Sequence, residues 1–154
     1  MFKRLLRPRV LVIGLIIIFG LMQLVPVWVW QTNPPVVTDV AWTTPAAASI
    51  ARRACYDCHS NETVWPWYSR IAPASWLITY DVIKGRNELN FSLPLSEPGE
   101  LANEIAEVVR SGAMPPRQYL LLHPEARLSD QDIQSLLAGT PRGTGLHPER
   151  DHDD

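Results

Sequence analysis

"CYDCHSNETVWPWYS", residues Cys55–Ser69, contains both cysteines of the chain, one of its four histidines and two of its six tryptophans. Two cysteines three positions apart, followed at once by His59, fit four chemistries: half of a zinc site, a redox dithiol, a disulfide or a haem anchor. The surroundings of the stretch discriminate between them.

Upstream lie Lys3, Arg4, Arg7 and Arg9, and then "VLVIGLIIIFGLMQLVPVWVW" (Val10–Trp30), 21 residues without a charge. About 20 apolar residues in a helix cross a bilayer. Trp28 and Trp30 close the run, where interfacial aromatics belong, and the basic flank assigns the N-terminus to the cytoplasm. A cleaved signal peptide has a shorter apolar region and a small-residue cleavage site. "VPVWVWQTNPP" offers no such site, so a retained anchor is expected. A buried core helix would not explain the basic flank. The chain is thus expected in a bacterial inner membrane, single-pass, with its domain in the periplasm or otherwise outside the cytoplasm.

All sixteen acidic residues follow position 31, together with ten of the fourteen basic ones, which leaves that part at −6 with neutral histidines. This is no footprint for nucleic acid; it keeps the domain soluble and bears on the choice of a soluble partner.

The expected organisation is a basic tail (1–9), a transmembrane anchor (10–30), a linker (31–44), a globular domain (45–139) and a disordered, Gly/Pro-rich polar tail (140–154). The linker "QTNPPVVTDVAWTTP" carries prolines and no helical period, and is expected to meet the domain near Trp42. Thr44-Pro45 is a helix start, with Thr as N-cap and Pro in the first turn, and "AAASIARRA" leads to Cys55. A second helix is predicted from near Pro73, with Trp76, Tyr80 and Ile83 recurring on one face and Gly85 as its stop. A third, "EPGELANEIAEVVRSG", has a stripe of Leu101, Ile105, Val108 and Val109 and ends at Gly112. In the fourth, "LSDQDIQSLLAG", Ser129 followed three residues later by Asp132 resembles a capping box, whose usual partner is Glu or Gln, and Ile133, Leu136 and Leu137 form the inner face. No strand alternation and no internal repeat is visible. The expected fold class is all-α, a small helical domain behind one N-terminal transmembrane helix. A domain this small buries little surface and often needs a staple or a cofactor.

That context favours haem. C-x-x-C-H is the haem c attachment pattern: Cys55 and Cys58, one helical turn apart, reach the two vinyl groups, and His59 becomes the proximal iron ligand. A structural zinc site needs four ligands; the chain has no second C-x-x-C, and adding His123 to the cysteine pair makes three. A thioredoxin-like dithiol sits beside a β-α-β pattern that is missing. A disulfide is possible outside the cytoplasm, yet leaves His59 without a role. For the sixth position, Met114 in "SGAMPPRQY" is the methionine outside the anchor and the N-terminus, on a loop stiffened by Pro115 and Pro116. Met/His is a recurrent haem pairing; core filling is the competing role of Met114. His123 in "LLLHPEARL" is the alternative sixth ligand. His147 and His152 lie in the tail.

The stretch "RRACYDCHSNETVWPWYSRIAPASW" closely resembles the haem-binding domain family of small exported monohaem proteins, cytochrome c-like. "GRNELNFS", "MPPRQYLLLHPEARLSDQDIQSLL" and the linker "NPPV" extend the resemblance over about Asn33 to Leu137. It implies one covalent haem c at Cys55 and Cys58, with iron ligated by His59. Met114 and His123 both match family positions. The order C-x-x-C-H, M-P, last helix also looks like ordinary cytochrome c, which favours Met114; the long segment between Met114 and that helix keeps His123 open.

Trp65, Trp67 and Tyr68 are candidates for walling the haem edge, against ordinary packing. Arg70 is a candidate partner for a propionate, against a solvated arginine. The carbonyl of Pro73 is the candidate acceptor for the His59 ring N–H. With both axial positions filled, the protein would be an electron carrier rather than an enzyme, kept by its anchor near membrane-bound redox partners. A haem sensor or peroxidase-like enzyme with a labile sixth ligand is the alternative. An accessory haem subunit of a larger membrane complex is a third.

Overall fold

The computed structural model describes residues 8–95 and 98–141. The basic residues Lys3, Arg4 and Arg7 and the tail from residue 142, with His147 and His152, lie outside the described residues. Among the described residues six α-helices follow one another: α1 (Pro8–Met22), α2 (Pro45–Ala54), α3 (Tyr56–His59), α4 (Ala74–Glu88), α5 (Pro98–Arg110) and α6 (Asp130–Gly139), with 3-10 turns at Val27–Trp30, Trp67–Arg70, Tyr119–Leu121 and Pro124–Ala126. Among the described residues there is no strand, and the fold is all-helical as expected.

The stretch Pro8–Trp30 is long and apolar enough to cross a membrane. Continuous α-helix ends at Met22, and a 3-10 turn at Val27–Trp30 follows. Residues 31–44 are extended, and their contacts begin well before Trp42. Gln31 Nε2 donates to the Ser69 carbonyl and to Thr79 Oγ1. Asn33 Nδ2 donates to the Thr63 carbonyl, and the amides of Val37 and Thr38 both donate to the Ser92 carbonyl.

The capping signals are obeyed. Thr44 Oγ1 accepts from the Ala47 amide at the start of α2, with Pro45 in the first turn. Ser129 and Asp132 close a full capping box on α6, so Asp does the work of the usual Glu. α5 buries Leu101, Ile105 and Val109, and Gly112 follows with φ +70, the left-handed conformation of a helix end. α2 and α6 lie side by side: Gly139 is packed so closely that a Cβ there would meet Ala47 Cβ and Thr44 Oγ1. Val40, Ile50, Tyr56, Phe91, Ile105 and Leu136 lead the core. Phe91 is its hub, with ring centroids of Trp42 at 5.6 Å, Tyr56 at 5.2 Å and His59 at 6.1 Å.

α4 departs from the expectation. It does not stop at Gly85 but runs on to Glu88. Its buried face is Ser75, Thr79, Val82 and Gly85, while Tyr80 and Ile83 are exposed. Small residues face inward because α4 crosses α3 at close range, and Gly85 sits directly on Cys58. The large apolar residues are thereby turned toward solvent and the cleft.

Candidate haem site

The motif is built at a helix junction. α2 ends at Ala54, Cys55 turns the chain, and α3 makes one further turn. The amides of Cys58 and His59 both donate to the Cys55 carbonyl, at 3.1 and 2.9 Å. Cys55 and Cys58 are therefore one turn apart, and His59 follows at once. The turn is held from several sides. Phe91 N–H donates to the His59 carbonyl at 2.7 Å. Thr63 Oγ1 donates to the Asp57 carbonyl, and Asp57 Oδ1 accepts from the Val64 amide. Arg86 Nε donates to the Ser60 carbonyl at 2.7 Å, while its Nη atoms reach the Thr32 carbonyl, Asn33 Oδ1 and Thr63 Oγ1. One guanidinium thus ties α4, the segment after the motif and the chain leaving Trp30 together.

The His59 ring is oriented by the Leu89 carbonyl, 3.0 Å from Nδ1. That replaces Pro73 as the acceptor. Pro73 instead uses its carbonyl within the first turn of α4, where the amides of Trp76 and Leu77 donate to it. An Nδ1–H donor fixes the tautomer and leaves Nε2 with its lone pair for a metal. Burial lowers the His59 pKa, against the pull of the Leu89 and Gly85 carbonyls, so the ring stays neutral and able to ligate.

Both cysteines are free thiols. Burial pushes each up to about 12; the Cys58 thiol adds to the effect on Cys55, and Asp81 and Asp57 add to it on Cys58. Reactive redox dithiols have depressed pKa values, so this environment is the opposite of a thioredoxin-like site.

A cleft opens beside the motif in two adjoining compartments, each of about 730 Å³ including its open mouth. One is lined by Cys55, Cys58, His59, Tyr80, Gly85 and Met114, among others. The other is more apolar, with Val64, Pro66, Tyr68, Leu77, Leu122 and His123 in its wall. Cys58, Asp57, Asp81, Pro116, Gln118 and Tyr119 border both. Tyr119 Oη donates to Asp57 Oδ2 at 2.7 Å across the cleft. Burial and this contact raise the Tyr119 pKa, keeping the phenol protonated as the donor.

Met114 shares its compartment with His59 and both cysteines. It is placed there by its own amide, which donates to the Val108 carbonyl at the end of α5. His123 lies in the other compartment. Its Nε2 is 2.7 Å from Tyr68 Oη, its Nδ1 is 3.1 Å from Glu125 Oε1, and its ring stacks on Tyr119 at 4.1 Å. Of the aromatic candidates, Tyr68 lines the cleft. Trp65 and Trp67 line neither compartment: Trp65 donates to Asn33 Oδ1 and Trp67 is exposed. Arg70 is exposed at the end of its turn and borders neither compartment.

Asp57, Arg86 and Tyr119 escaped the sequence reading, and Gly85 figured in it only as a helix stop. Asp57 stands at a free position inside C-x-x-C, where no spacing rule marks it. A glycine inside a good helical pattern, at Gly85, is a signal of close approach as much as of a stop.

The residues fit haem. Two unbonded thiols one turn apart, an imidazole with Nδ1 already committed, and a thioether face one cleft. Among the described residues no group of three His, Cys, Asp or Glu side chains stands ready for a bare metal ion. A small all-helical domain with this donor set around a cleft has the makings of a haem protein. The chain belongs to the haem-binding domain family, whose model matches residues 17–141. Neither a curated protein nor a solved structure matches the chain. Bound haem would supply a redox-active iron. Cys55, Cys58, His59 and Met114 would hold it, with His59 oriented by the Leu89 carbonyl and the 114–123 segment lining the cleft.

Proposed function

We propose that this haem-binding protein is a membrane-anchored monohaem c-type cytochrome that carries electrons. Cys55 and Cys58 form the thioethers, His59 is the proximal ligand and Met114 the sixth. The observation that carries the reading is that Met114 lines the same compartment as His59 and both cysteines, whereas His123 is engaged by Tyr68 and Glu125 in the other. Two protein ligands leave the iron no open position for substrate, which suits transfer rather than catalysis. The apolar stretch Pro8–Trp30 supports anchoring, with the domain on the periplasmic side and redox proteins of the same membrane as partners.

Haem staining after denaturing electrophoresis, with Cys55 and Cys58 both changed to Ala as the control, tests the covalent bond. A colourless wild type, produced with a working attachment system, overturns it. The oxidised protein should show the near-infrared sulfur-to-iron charge-transfer band. Met114→Ala should remove it and open the iron to carbon monoxide, and His123→Ala should leave it. A band that is absent from the wild type, with a spectrum altered by His123→Ala, reassigns the sixth ligand.

The second reading, a sensor or peroxidase-like enzyme, draws on the polar groups Tyr68, His123, Asp81 and Tyr119 around the cleft. Rapid binding of carbon monoxide by the wild-type ferrous protein selects it.

A further inference from the structure

Gln23 lies inside the apolar run, seven residues before Trp30, yet it grips the globular domain. Its Nε2 donates to the Ala72 carbonyl at 3.2 Å and its Oε1 accepts from the Ala72 amide at 2.9 Å. Gln31, just past the run, holds Ser69 and Thr79 in the same region. The loop 67–72 is therefore pinned at the level of the apolar stretch, not beyond it. α1 itself, 15 residues, spans only about 22 Å against a hydrocarbon core of about 30 Å. The remaining apolar thickness on the exit side falls to Leu24–Trp30 and to whatever is packed beside them.

The chain around the gripped Ala72 is apolar and exposed. Trp67 is 76% exposed and Ile71, next to the gripped Ala72, is 39% exposed. Through Tyr68 and its hydrogen bond to His123, this turn adjoins the 119–123 segment, where Leu121 is 80% exposed. Trp67, Ile71 and Leu121 line neither compartment of the cleft, so haem does not account for their exposure. Trp28 and Trp30, also exposed, stand at the end of the same apolar run.

We propose that the face carrying Trp67, Ile71 and Leu121 is sunk into the lipid surface of the bilayer that holds α1. The inference rests on the anchored reading above and goes beyond it: the domain lies on the membrane in one orientation instead of hanging from it. Tryptophan at the headgroup level and aliphatic side chains below it are the chemistry of an interfacial face. A glutamine side chain facing hydrocarbon is better off hydrogen-bonded, as Gln23 is to Ala72. The compartment walled by Tyr68, Leu77 and Leu122 then opens near the headgroups.

The test uses the full-length, haem-loaded chain in nanodiscs of phosphatidylcholine and phosphatidylglycerol. A ketone-bearing residue, introduced one position at a time at 17, 67, 104 or 121, carries a nitroxide and leaves Cys55 and Cys58 alone. Accessibility to oxygen relative to a water-soluble nickel chelate is read by power saturation. Position 104 lies on the exposed side of α5. The expected ratio at 67 and 121 is severalfold above that at 104 and approaches that at 17. Labels at 67 and 121 as water-accessible as at 104, with 17 in lipid, overturn the inference and leave the anchor standing. A water-accessible label at 17 overturns both. As a second measurement without labels, Trp67→Glu with Leu121→Glu should deprotect the amides of 67–72 and 119–123 to hydrogen exchange in nanodiscs; unchanged protection counts against the proposal.

Discussion

Gly85 on α4 lies against the backbone of Cys58: a Cβ at Gly85 would stand 2.6 Å from the Cys58 carbonyl oxygen and 3.1 Å from the Cys58 Cβ. The haem motif is thus pressed onto α4 where any side chain would hold it off. Gly85→Ala gains up to about 1 kcal/mol of helix propensity. Overlap with backbone, which cannot swing aside, costs about 1–3 kcal/mol. The overlap wins, and the midpoint of thermal unfolding should fall by several degrees, with less haem incorporated. A variant as stable as the wild type contradicts the close crossing of α3 and α4.

Arg86 donates to four acceptors on two segments, 32–33 and 60–63. Arg86→Lys keeps the charge but not the fork. Hydrogen bonds from a charged group contribute about 1.5–3 kcal/mol where they are lost outright. A loss of about 2 kcal/mol in urea unfolding is expected, with little change in m.

The capping box on α6 makes stability depend on acid. The Ser129 amide and hydroxyl, then the Arg53 guanidinium, hold Asp132 down at about 2. An unfolded aspartate titrates near 3.9. Its folded pKa is the lower, so the contribution is fully present above the unfolded pKa and is lost as pH falls from about 4 toward 2. Asp132→Asn should cost up to about 1 kcal/mol at pH 7. The gap between variant and wild type should narrow on acidification, read from denaturant midpoints at pH 7, 4 and 2.5.

Tyr119→Phe removes the hydroxyl that bridges the cleft to Asp57. About 1 kcal/mol of stability should go. The segment 114–122 should loosen, so cyanide should bind the ferric protein faster than in the wild type, where Tyr119 braces the loop bearing Met114. Equal rates dissociate the brace from ligand access.

The local rules were legible where one residue type answers one need. Thr44-Pro45, Ser129 with Asp132, and Gly112 mark helix ends because an N–H, a carbonyl or a positive φ has to be satisfied there. The C-x-x-C-H pattern could be read for the same reason, since its spacing is one helical turn. α4 was misread because burial on a tightly packed helix selects for small size rather than for hydrophobicity. Ser75, Thr79 and Gly85 therefore face inward and Tyr80 outward. The partner of His59, the Leu89 carbonyl, belongs to backbone thirty positions on, and no side-chain pattern encodes a carbonyl. Trp65 and Trp67 drew attention by size, but Trp65 is hydrogen-bonded to Asn33 and Trp67 faces outward.

Residues 31–44 are sewn down from their first side chain, by Gln31 to Ser69 and Thr79, by Asn33 to Thr63, and by Val37 and Thr38 to Ser92. A free strap of that length would reach roughly 45 Å and let its cargo sweep a wide hemisphere. Sewn down, it sweeps almost nothing. If the chain is the anchored electron carrier proposed above, it forgoes the search that a tethered shuttle performs, and a redox counterpart would have to come to it. Cutting the stitches at Gln31 and Asn33 would turn a fixed station into a swinging arm.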